Sequence, residues 1–342
     1  ILSTAISKQV TMASIDPQKI FITQTSPANP LSLKLKNQIK KIENDFKPCL
    51  VYSVGFPSYI HFQQIELGRY TNPWALVNHS SAFHQLNSFN KIKILLKARY
   101  RNFSARHALF FETQTNIAAK GIERRLNINP ENIKVIPNSI NNLYFHSDKK
   151  VKKDNNLVKI LYIAAPHIHK NIDIIPDVAR ELGILIPNKN FKFLVTLPKG
   201  SRHIEKFNRD ANNKLVADQI TNLGQLTVKE CIDAYLESDI FFMPSLLEVF
   251  SASYLEAMQM SIPIVASDLD FAREACGTAA LYFDPRSPKD AAINIKQLIE
   301  NKGLRDRLIS NGKSRLKEFP QNKLKFEILD QFISKIIENQ KI

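Results

Sequence analysis

The sequence predicts an α/β protein made of two Rossmann-like, doubly wound domains, each with a parallel sheet. Short apolar runs alternate along the chain with amphipathic segments of helical period, which is the pattern of repeated β–α units. The runs are continuously apolar, as expected of strands that helices cover on both faces. A chain of 342 residues is also long enough to bury two hydrophobic cores.

The second half of the chain shows this alternation most regularly. Its predicted strands are runs of Val, Ile, Leu and Phe at 158–164, 191–197, 220–223, 240–243, 262–266 and 279–283. Helical patterns fall between them, at 172–182, 203–213, 228–237, 253–260 and 288–300. We therefore predict a C-terminal α/β domain at 149–318. A C-terminal helix, at 324–337 within the segment 319–342, is predicted to follow the break at Pro320.

The first half, 1–148, is less regular but contains the same two kinds of element. Its predicted strands lie at 20–23, 50–54, 75–78, 108–113 and 133–136. Its two predicted helices, both basic, lie at 33–45 and 90–104. A polar stretch at 147–154 separates the two halves and is predicted to be the linker between the domains.

Composition argues against several classes of protein. The chain is 44% apolar and 23% charged, unlike disordered or collagen-like chains, and no apolar run approaches the length of a spanning helix. It has nine glycines and neither a G-x-G-x-x-G nor a P-loop motif, which disfavours dehydrogenases and P-loop enzymes. Its three cysteines are far apart, which favours a reduced cytoplasmic protein without disulfides or structural zinc.

Positive charge is concentrated in the first half. Residues 1–150 contain 20 Lys and Arg against 8 Asp and Glu, a net charge of +12, whereas 151–342 contain 27 against 24, a net charge of +3. This asymmetry indicates an anionic membrane surface, a phosphorylated acceptor or nucleic acid as partner, with a lysine-rich solubility surface as the alternative. The usual nucleic-acid-binding motifs are absent. Basic side chains that could bind lipid phosphates are Lys91, Lys93, Lys97, Arg99, Arg101 and Arg106.

The segment from 240 to 268 carries the strongest functional pattern. A strand ends in a Pro-Ser turn at Ser245, Glu248 stands at the mouth of the next helix, and Glu256 lies inside that helix. This order places two carboxylates and a helix N-terminus at the carboxyl edge of a parallel sheet, where open α/β sheets bind nucleotides. Carboxylates suit a vicinal diol, and helix-start amides suit a diphosphate. The amides predicted to begin the helix belong to Val249, Phe250 and Ser251.

A second pattern follows the predicted strand at 158–164. The loop there contains four candidate residues, His167, His169, Lys170 and Asn171. A lysine at the carboxyl end of a strand can face a phosphate, where its charge acts most strongly as charge develops in the transition state. Two smaller motifs are Ile-Pro-Asn-Ser at 136–139 and the turn Asn-Leu-Gly that ends at Gly224.

Together these segments resemble the donor-site signature of the retaining, GT-B-fold nucleotide-sugar glycosyltransferases of the group-1 (family 4) type. The His-Lys-Asn sequence is similar to a subset common in bacterial polysaccharide assembly. The resemblance covers roughly 130–318. It implies two domains facing across a cleft, with a nucleotide-diphospho-sugar in the second and a saccharide or polyprenyl-diphosphate-linked acceptor in the first. It further implies retention of configuration without a metal or other cofactor, and a C-terminal helix that crosses back to the first domain.

The resemblance also implies roles for individual residues. Glu256 binds the ribose hydroxyls, Glu248 orients the transferred sugar, and Lys170 with the amides of 249–251 neutralises the departing diphosphate. The other donor-binding candidates are His169, Asn171, Gly224 and Ser245. The acceptor-side candidates are Tyr59, on the predicted cleft rim, and His79 and His84, near a predicted strand end.

Three positions depart from the family pattern. Ala165 stands where the family has an arginine, so either His167 or His169 replaces that cation or Lys170 and the amides act without it. Val249 and Ser251 stand where the family has glycines. These departures leave open a degenerate, non-catalytic nucleotide-sugar-binding protein, and a GT-B sugar-nucleotide epimerase is a further alternative.

Three further expectations concern a possible metal-binding motif, the start of the chain and the cellular location. Asp268-Leu269-Asp270 matches the DxD metal motif of a different glycosyltransferase fold, but after the predicted strand at 262–266 we interpret Asp268 as a loop-start residue. We expect the family's first strand and glycine-containing loop to lie upstream of Ile1. The expected location is the cytoplasm, with peripheral contact at the inner face of the plasma membrane through the basic first domain.

Overall fold

The computed structural model describes residues 2–3, 21–23, 26–29, 32–77, 80–146, 156–198, 200 and 202–339. These residues form two larger parallel sheets flanked by helices, together with a short pair of strands, β1 (Leu2–Ser3) and β2 (Ile22–Thr23). The predicted α/β class with two parallel-sheet domains is therefore confirmed. The linker predicted at 147–154 lies outside the described residues.

The first domain is built on a four-stranded parallel sheet with the strand order β3-β4-β5-β6. Its strands are β3 (Val51–Ser53), β4 (Glu66–Arg69), β5 (Phe110–Thr113) and β6 (Ile133–Val135). Its helices are α1 (Leu33–Phe46), α2 (Pro73–Leu76), α3 (Ser80–Phe83), α4 (Ser88–Ala105) and α5 (Asn116–Ile122).

The second domain is built on a six-stranded parallel sheet with the strand order β12-β11-β10-β7-β8-β9. Its strands are β7 (Leu157–Tyr162), β8 (Asn190–Val195), β9 (Ile220–Asn222), β10 (Ile240–Met243), β11 (Ile264–Ser267) and β12 (Ala280–Phe283). The helices that follow them are α6 (Ile175–Leu185), α7 (Arg202–Asn213), α8 (Val228–Glu237), α9 (Ala252–Gln259), α10 (Asp270–Cys276), α11 (Pro288–Glu300) and α12 (Lys302–Leu316). The chain closes with α13 (Asn322–Glu338).

Neighbouring residues of the second sheet point alternately into two hydrophobic cores. Ile160 and Phe242 belong to one buried cluster, which α6 and α11 complete. Leu161 and Phe241 belong to a second cluster on the opposite face, which α8, α9 and α10 complete. Both faces are therefore covered, which explains why the strands of this domain are continuously apolar in sequence.

The first domain differs from prediction at several elements. Helices α3 and α5 were not predicted, and two further differences concern its strands. The strand predicted at 75–78 is wrong, because Asn72 caps a helix through its side chain and Pro73 occupies the first helical position. Strand β4 was not predicted, because Glu66 and Arg69 interrupt its apolar pattern. Gly68 in β4 allows the ring of Phe56 to pack against the backbone, since a Cβ there would lie 2.5 Å from that ring.

Helix α13 packs against the first sheet after leaving the second domain. Phe332 and Ile336 form a buried cluster with Leu67 of β4. Near the start of the helix, Lys325 Nζ lies 3.4 Å from Asn138 Oδ1, in the segment that follows β6. Within the part of the chain that the structure describes, no helix is both long and apolar enough to cross a membrane.

Candidate active site

The two loops that carry the candidate residues lie side by side because their strands are neighbours. Strand β10 pairs with β7 in parallel, with Ile240 opposite Ile160. The carboxyl ends of both strands therefore meet at one edge of the sheet. The loops are joined directly, since the backbone N–H of Leu246 donates to the carbonyl of His169 at 2.7 Å.

Lys170 and Glu248 form an ion pair at this edge. Lys170 Nζ lies 2.5 Å from Glu248 Oε1, and only 15% and 8% of the two side chains are exposed. Among the described residues, no donor has hydrogen-bond geometry at that oxygen, so the interaction is a contact of charges. The sequence placed both residues near the reacting groups of a donor, and the structure brings them together. Each side chain neutralises the charge of the other.

Tyr162 lies next to this ion pair. Its hydroxyl lies 3.5 Å from the carbonyl of Lys170, and its side chain is fully buried. Burial, with a further contribution from the Glu248 carboxylate, raises the pKa of Tyr162 well above its usual range. The phenol therefore stays neutral and contributes no negative charge next to Glu248.

Glu256 lies on α9, which follows the loop of Glu248. Two tyrosines hold its carboxylate. The hydroxyl of Tyr235 donates to Glu256 Oε2 at 3.2 Å. Tyr144 provides a second phenol, and its ring packs edge-on against Tyr235 with centroids 6.1 Å apart. Burial raises the pKa of Glu256, and the hydrogen bonds from Tyr235 and Tyr144 oppose that rise. The role of these two tyrosines was not predicted from the sequence, because they come from segments distant in the chain.

The helix N-terminus differs from prediction by a few residues. Helix α9 begins at Ala252, and Ser251 is its N-cap without a side-chain hydrogen bond. The amides of Val249, Phe250 and Ser251 therefore lie in the loop before the helix and do not begin it. Val249 is buried with Leu247 in a cluster that also contains first-domain residues. The helix N–H groups that lack an intrahelical acceptor are those of the first turn, starting at Ala252.

His169 is neutral at pH 7. Burial is the main cause, and the neighbouring Lys170 and His167 add to it, together lowering the pKa of His169 to about 4. Its ring lies edge-on to Trp74 of α2 at 5.9 Å and stacks on His167 at 5.5 Å. Burial therefore disfavours a cationic His169, which was one of the alternatives for replacing the missing arginine.

Asn171 bridges three parts of the molecule. It adopts a left-handed backbone conformation with φ of 54° and is almost fully buried. Its Oδ1 accepts a hydrogen bond from Gln85 of the first domain, and its Nδ2 donates to the carbonyl of Pro285 at 3.1 Å. Its side chain therefore holds the loop of Lys170 in place from both sides.

Two further donor-side candidates lie at strand ends. Ser245, after β10, is completely buried, and its hydroxyl has no hydrogen-bond partner among the described residues. Gly224, after β9, has a positive φ of 79°, which favours glycine. Its N–H donates to Asn222 Oδ1 at 3.0 Å, so the turn is well defined.

The two described acceptor-side candidates have different surroundings. Tyr59, in the loop between β3 and β4, stacks on Tyr100 of α4 with ring centroids 5.5 Å apart. His84 lines a pocket of about 510 Å³ between the domains, together with Asp268 and Arg286. His79 lies outside the described residues.

Asp268 of the DxD sequence forms an ion pair with Arg273. Arg273 binds it with two nitrogens, at 2.5 and 2.9 Å. Within the described part of the chain, no group of three or more His, Cys, Asp or Glu side chains could hold a metal ion. The contact that the neighbouring Glu274 makes with the first domain was not predicted from the sequence. Its carboxylate accepts hydrogen bonds there at the N-terminus of α5.

Comparison with known proteins identifies the family of the chain. One curated relative, the O-antigen chain mannosyltransferase RfbU of Salmonella typhimurium, is 27% identical over 180 residues, covering 52% of this chain and 48% of the relative. The match thus spans about half the length of that relative. A second relative is N,N'-diacetylbacillosaminyl-diphospho-undecaprenol alpha-1,3-N-acetylgalactosaminyltransferase of Campylobacter jejuni. It is 25% identical over 267 residues, covering 73% of this chain and 67% of the relative.

Structural comparison agrees with the sequence relatives. The crystal structure of HepE from Anabaena in complex with UDP and glucose has a TM-score of 0.66 and 15% identity, covering 93% of this chain and 85% of that protein. This likeness shows a shared fold, and the fold of the chain is GT-B, as predicted. The sequence profile of the family "Glycosyl transferases group 1" matches residues 145–315, half of the chain. The chain therefore belongs to the group 1 glycosyltransferases.

Proposed function

We propose that this protein moves a sugar from a nucleotide-diphospho-sugar to a hydroxyl group of a saccharide or lipid-linked acceptor, with retention of configuration, in the synthesis of a cell-surface polysaccharide. Family membership supports the transfer reaction. The UDP and glucose bound to HepE support a nucleotide-sugar donor. The O-antigen and undecaprenol-linked chemistry in the names of the two relatives supports the acceptor class.

The observation that carries this proposal is the ion pair between Lys170 and Glu248 at the sheet edge. A donor diphosphate that reaches Lys170 would compete with Glu248 for its ammonium group. Glu248 would then be free to accept hydrogen bonds from the hydroxyls of the transferred sugar. In this proposal the donor exchanges the contact between Lys170 and Glu248 for contacts of each residue with the donor.

In the proposed reaction the protein stabilises the negative charge of the leaving diphosphate and supplies no general base. The bond between the sugar C1 and the diphosphate oxygen breaks, and the acceptor oxygen forms a new bond to C1 on the same face. The acceptor proton passes to the departing phosphate oxygen. Lys170 and the first amides of α9 would stabilise the negative charge on the leaving group. Because Lys170 supplies a positive charge here and Arg273 occupies Asp268, we propose that transfer needs no metal ion.

Glu256 is proposed to bind the ribose of the donor. Its carboxylate lies on the helix that begins at the proposed diphosphate site, and two tyrosines orient it. A carboxylate held in this way can accept both hydroxyls of a vicinal diol. Ser245, with its unpartnered hydroxyl, and the loop residues His169 and Asn171 would shape the remaining wall of the donor pocket.

The proposed cellular location is the cytoplasm, at the inner face of the plasma membrane. The net charge of +12 in residues 1–150 supports attraction to anionic lipids. The acceptor would bind to this first domain, with Tyr59 and His84 as candidate contacts.

A thermal-shift screen with UDP, GDP and ADP and their sugars tests the donor half of the proposal. A bound nucleotide raises Tm by mass action, so we expect one base to stabilise the protein and Lys170→Met to reduce that shift. An assay of the selected donor with polyprenyl-diphosphate-linked saccharides then tests transfer. Conversion of the donor sugar without any acceptor would indicate an epimerase. Donor binding with neither transfer nor slow hydrolysis would indicate a non-catalytic binding protein.

A further inference from the structure

Helix α4 presents large apolar side chains to solvent. Phe89, Leu96 and Phe103 are 73%, 62% and 65% exposed, and Ile92, Leu95 and Tyr100 are also exposed. Only two residues of this 18-residue helix are buried, Ala98 and Ala105. The helix thus attaches to the first domain through small side chains and directs its bulky ones outward.

The exposed side chains form one continuous stripe. With 3.6 residues per turn, Phe89, Ile92, Leu96, Tyr100 and Phe103 lie within an arc of about 80° along a helix about 27 Å long. The start of the helix is capped by Asn87, whose side chain accepts from the N–H of Asn90 at 2.9 Å. The stripe is therefore a regular apolar surface, and contiguous exposed apolar patches mark interaction sites.

Positive charge surrounds this stripe. Helix α4 contains five Lys and Arg residues and no Asp or Glu, and no acidic residue occurs between Glu66 and Glu112. Among the described residues none of the five basic side chains has an ion-pair partner within 4 Å. Lys93 and Lys97 are exposed along one border of the stripe. An amphipathic helix with an apolar face and basic flanks is typical of proteins that lie in the interface of an anionic membrane.

We propose that the apolar stripe of α4 inserts into the interfacial region of an anionic lipid bilayer, with Lys93 and Lys97 contacting lipid phosphates. Charge disfavours a second copy of this chain on the stripe, since two such helices would bring ten positive side chains together. Nucleic acid would attract the charges but would leave the aliphatic Ile92, Leu95 and Leu96 without a partner.

The stripe also lies close to the candidate active site. Tyr100 of the stripe stacks on Tyr59 in the loop between β3 and β4. Asn102 of α4 donates to the carbonyl of Ala75 in α2 at 3.2 Å, and Trp74 of α2 contacts His169. If the proposed function holds, insertion of α4 would bring the cleft to the depth at which a polyprenyl-linked acceptor presents its saccharide. Lipid binding itself does not depend on that function.

Co-sedimentation with vesicles tests the proposal. Vesicles of phosphatidylglycerol and phosphatidylethanolamine are compared with vesicles of phosphatidylcholine alone, at about 0.15 M salt. The stripe variant is Leu96→Asn/Phe103→Asn, with Ile184→Asn/Leu215→Asn as the control, because those two side chains are at least as exposed and lie on the second domain. The charge variant is Lys93→Gln/Lys97→Gln, with the exposed Lys289→Gln/Lys335→Gln as its control. The Tm of each variant reports folding.

We expect the full chain to bind the anionic vesicles and not the neutral ones. The stripe variant should bind at least tenfold more weakly, and the charge variant about thirtyfold more weakly, at about fivefold per charge. Both controls should match the unmodified chain. Equal binding by the stripe variant and its control would overturn the proposal. So would a dimer in solution that the stripe variant dissociates, because a second copy would then cover the stripe. Nucleotide stabilisation is read separately by thermal shift, so failure of the donor proposal would not affect this result.

Discussion

The two domains handle charge in opposite ways. In the second domain the candidate cation and carboxylate, Lys170 and Glu248, are paired and largely buried, and two phenols hold Glu256. In the first domain the basic side chains of α4 lie on the surface beside an exposed apolar stripe. Under the two proposals made above, the second domain binds a small charged ligand and the first binds an extended anionic surface.

We expect the largest effect on turnover and on stability from removal of the Lys170 charge. Lys170→Met should lower turnover by more than tenfold and up to about a thousandfold, because the leaving diphosphate loses its cation. It should also lower the free energy of unfolding by about 3–5 kcal/mol, because Glu248 is left buried without its partner. Steady-state kinetics at saturating donor and chemical denaturation measure the two effects.

The double variant Lys170→Met/Glu248→Gln separates these effects. It removes both charges, so we expect stability to recover towards that of the unmodified protein while turnover stays low. Lys206→Met is the control, since Lys206 forms an exposed ion pair with Asp173 on the same domain and should change neither quantity by much. Near-normal turnover in Lys170→Met would remove Lys170 from the proposed mechanism.

Removal of Glu256 tests whether the second domain holds the nucleotide as proposed. Glu256→Ala should raise the donor Kd by tenfold or more, since a charged hydrogen bond contributes about 1.5–3 kcal/mol. Tyr235→Phe should cause a smaller loss, because the carboxylate stays but is less well oriented. Calorimetry with the nucleotide selected by thermal shift measures both, and Glu205→Ala on the exposed face of α7 is the control. A donor affinity that Glu256→Ala leaves unchanged would contradict the ribose role.

The second domain was the easier one to predict, for a physical reason. Its strands are buried on both faces, so the continuous runs at 158–164 and 240–243 mark β7 and β10 closely. The pairing of these parallel strands then brings Lys170 and Glu248 to one edge, as expected. Tyr144 and Tyr235 could not be predicted in the same way, because side-chain contacts between distant segments leave no local pattern.

The first domain shows where local patterns mislead. Residues 75–78 form an apolar run that resembles a strand, yet the Asn-Pro sequence before it starts a helix. Strand β4 has charged ends and a central glycine, but it is buried between β3 and β5. The basic helix at 90–104 was predicted, but the exposure of its apolar face became visible only in three dimensions.

His169 offers a test by pH, because it belongs to the second domain but contacts Trp74 of the first. Its pKa of about 4 lies below the usual 6.5, so the unfolded chain binds the proton more readily between these values. His169 therefore lowers the free energy of unfolding as pH falls from about 6.5 to 4, by about 3 kcal/mol at most. His169→Asn should flatten the pH dependence of stability in this window, measured by denaturation at several pH values. The exposed His61→Asn should leave the slope as it was, and an unchanged slope in His169→Asn would show that the site stays solvated.

The smallest expected effect concerns the contact that joins the two domains at Glu274. Its carboxylate accepts from the N–H of Asn116 at 2.6 Å and from that of Ile117 at 3.2 Å, at the N-terminus of α5. A carboxylate here offsets unpaired helix amides and the helix dipole, so Glu274→Ala should lower the free energy of unfolding by about 1–2 kcal/mol.

Glu274→Gln retains the acceptor oxygen and should recover about half of this loss. Glu237→Ala is the matched control, since it removes an exposed ion pair with Lys159 within the second domain and should cost less than about 1 kcal/mol. If Glu274→Ala is no more destabilising than this control, the contact does not hold the domains together. The two domains would then be joined mainly through Asn171, which bonds to Gln85 and Pro285, and through the buried loop around Leu247.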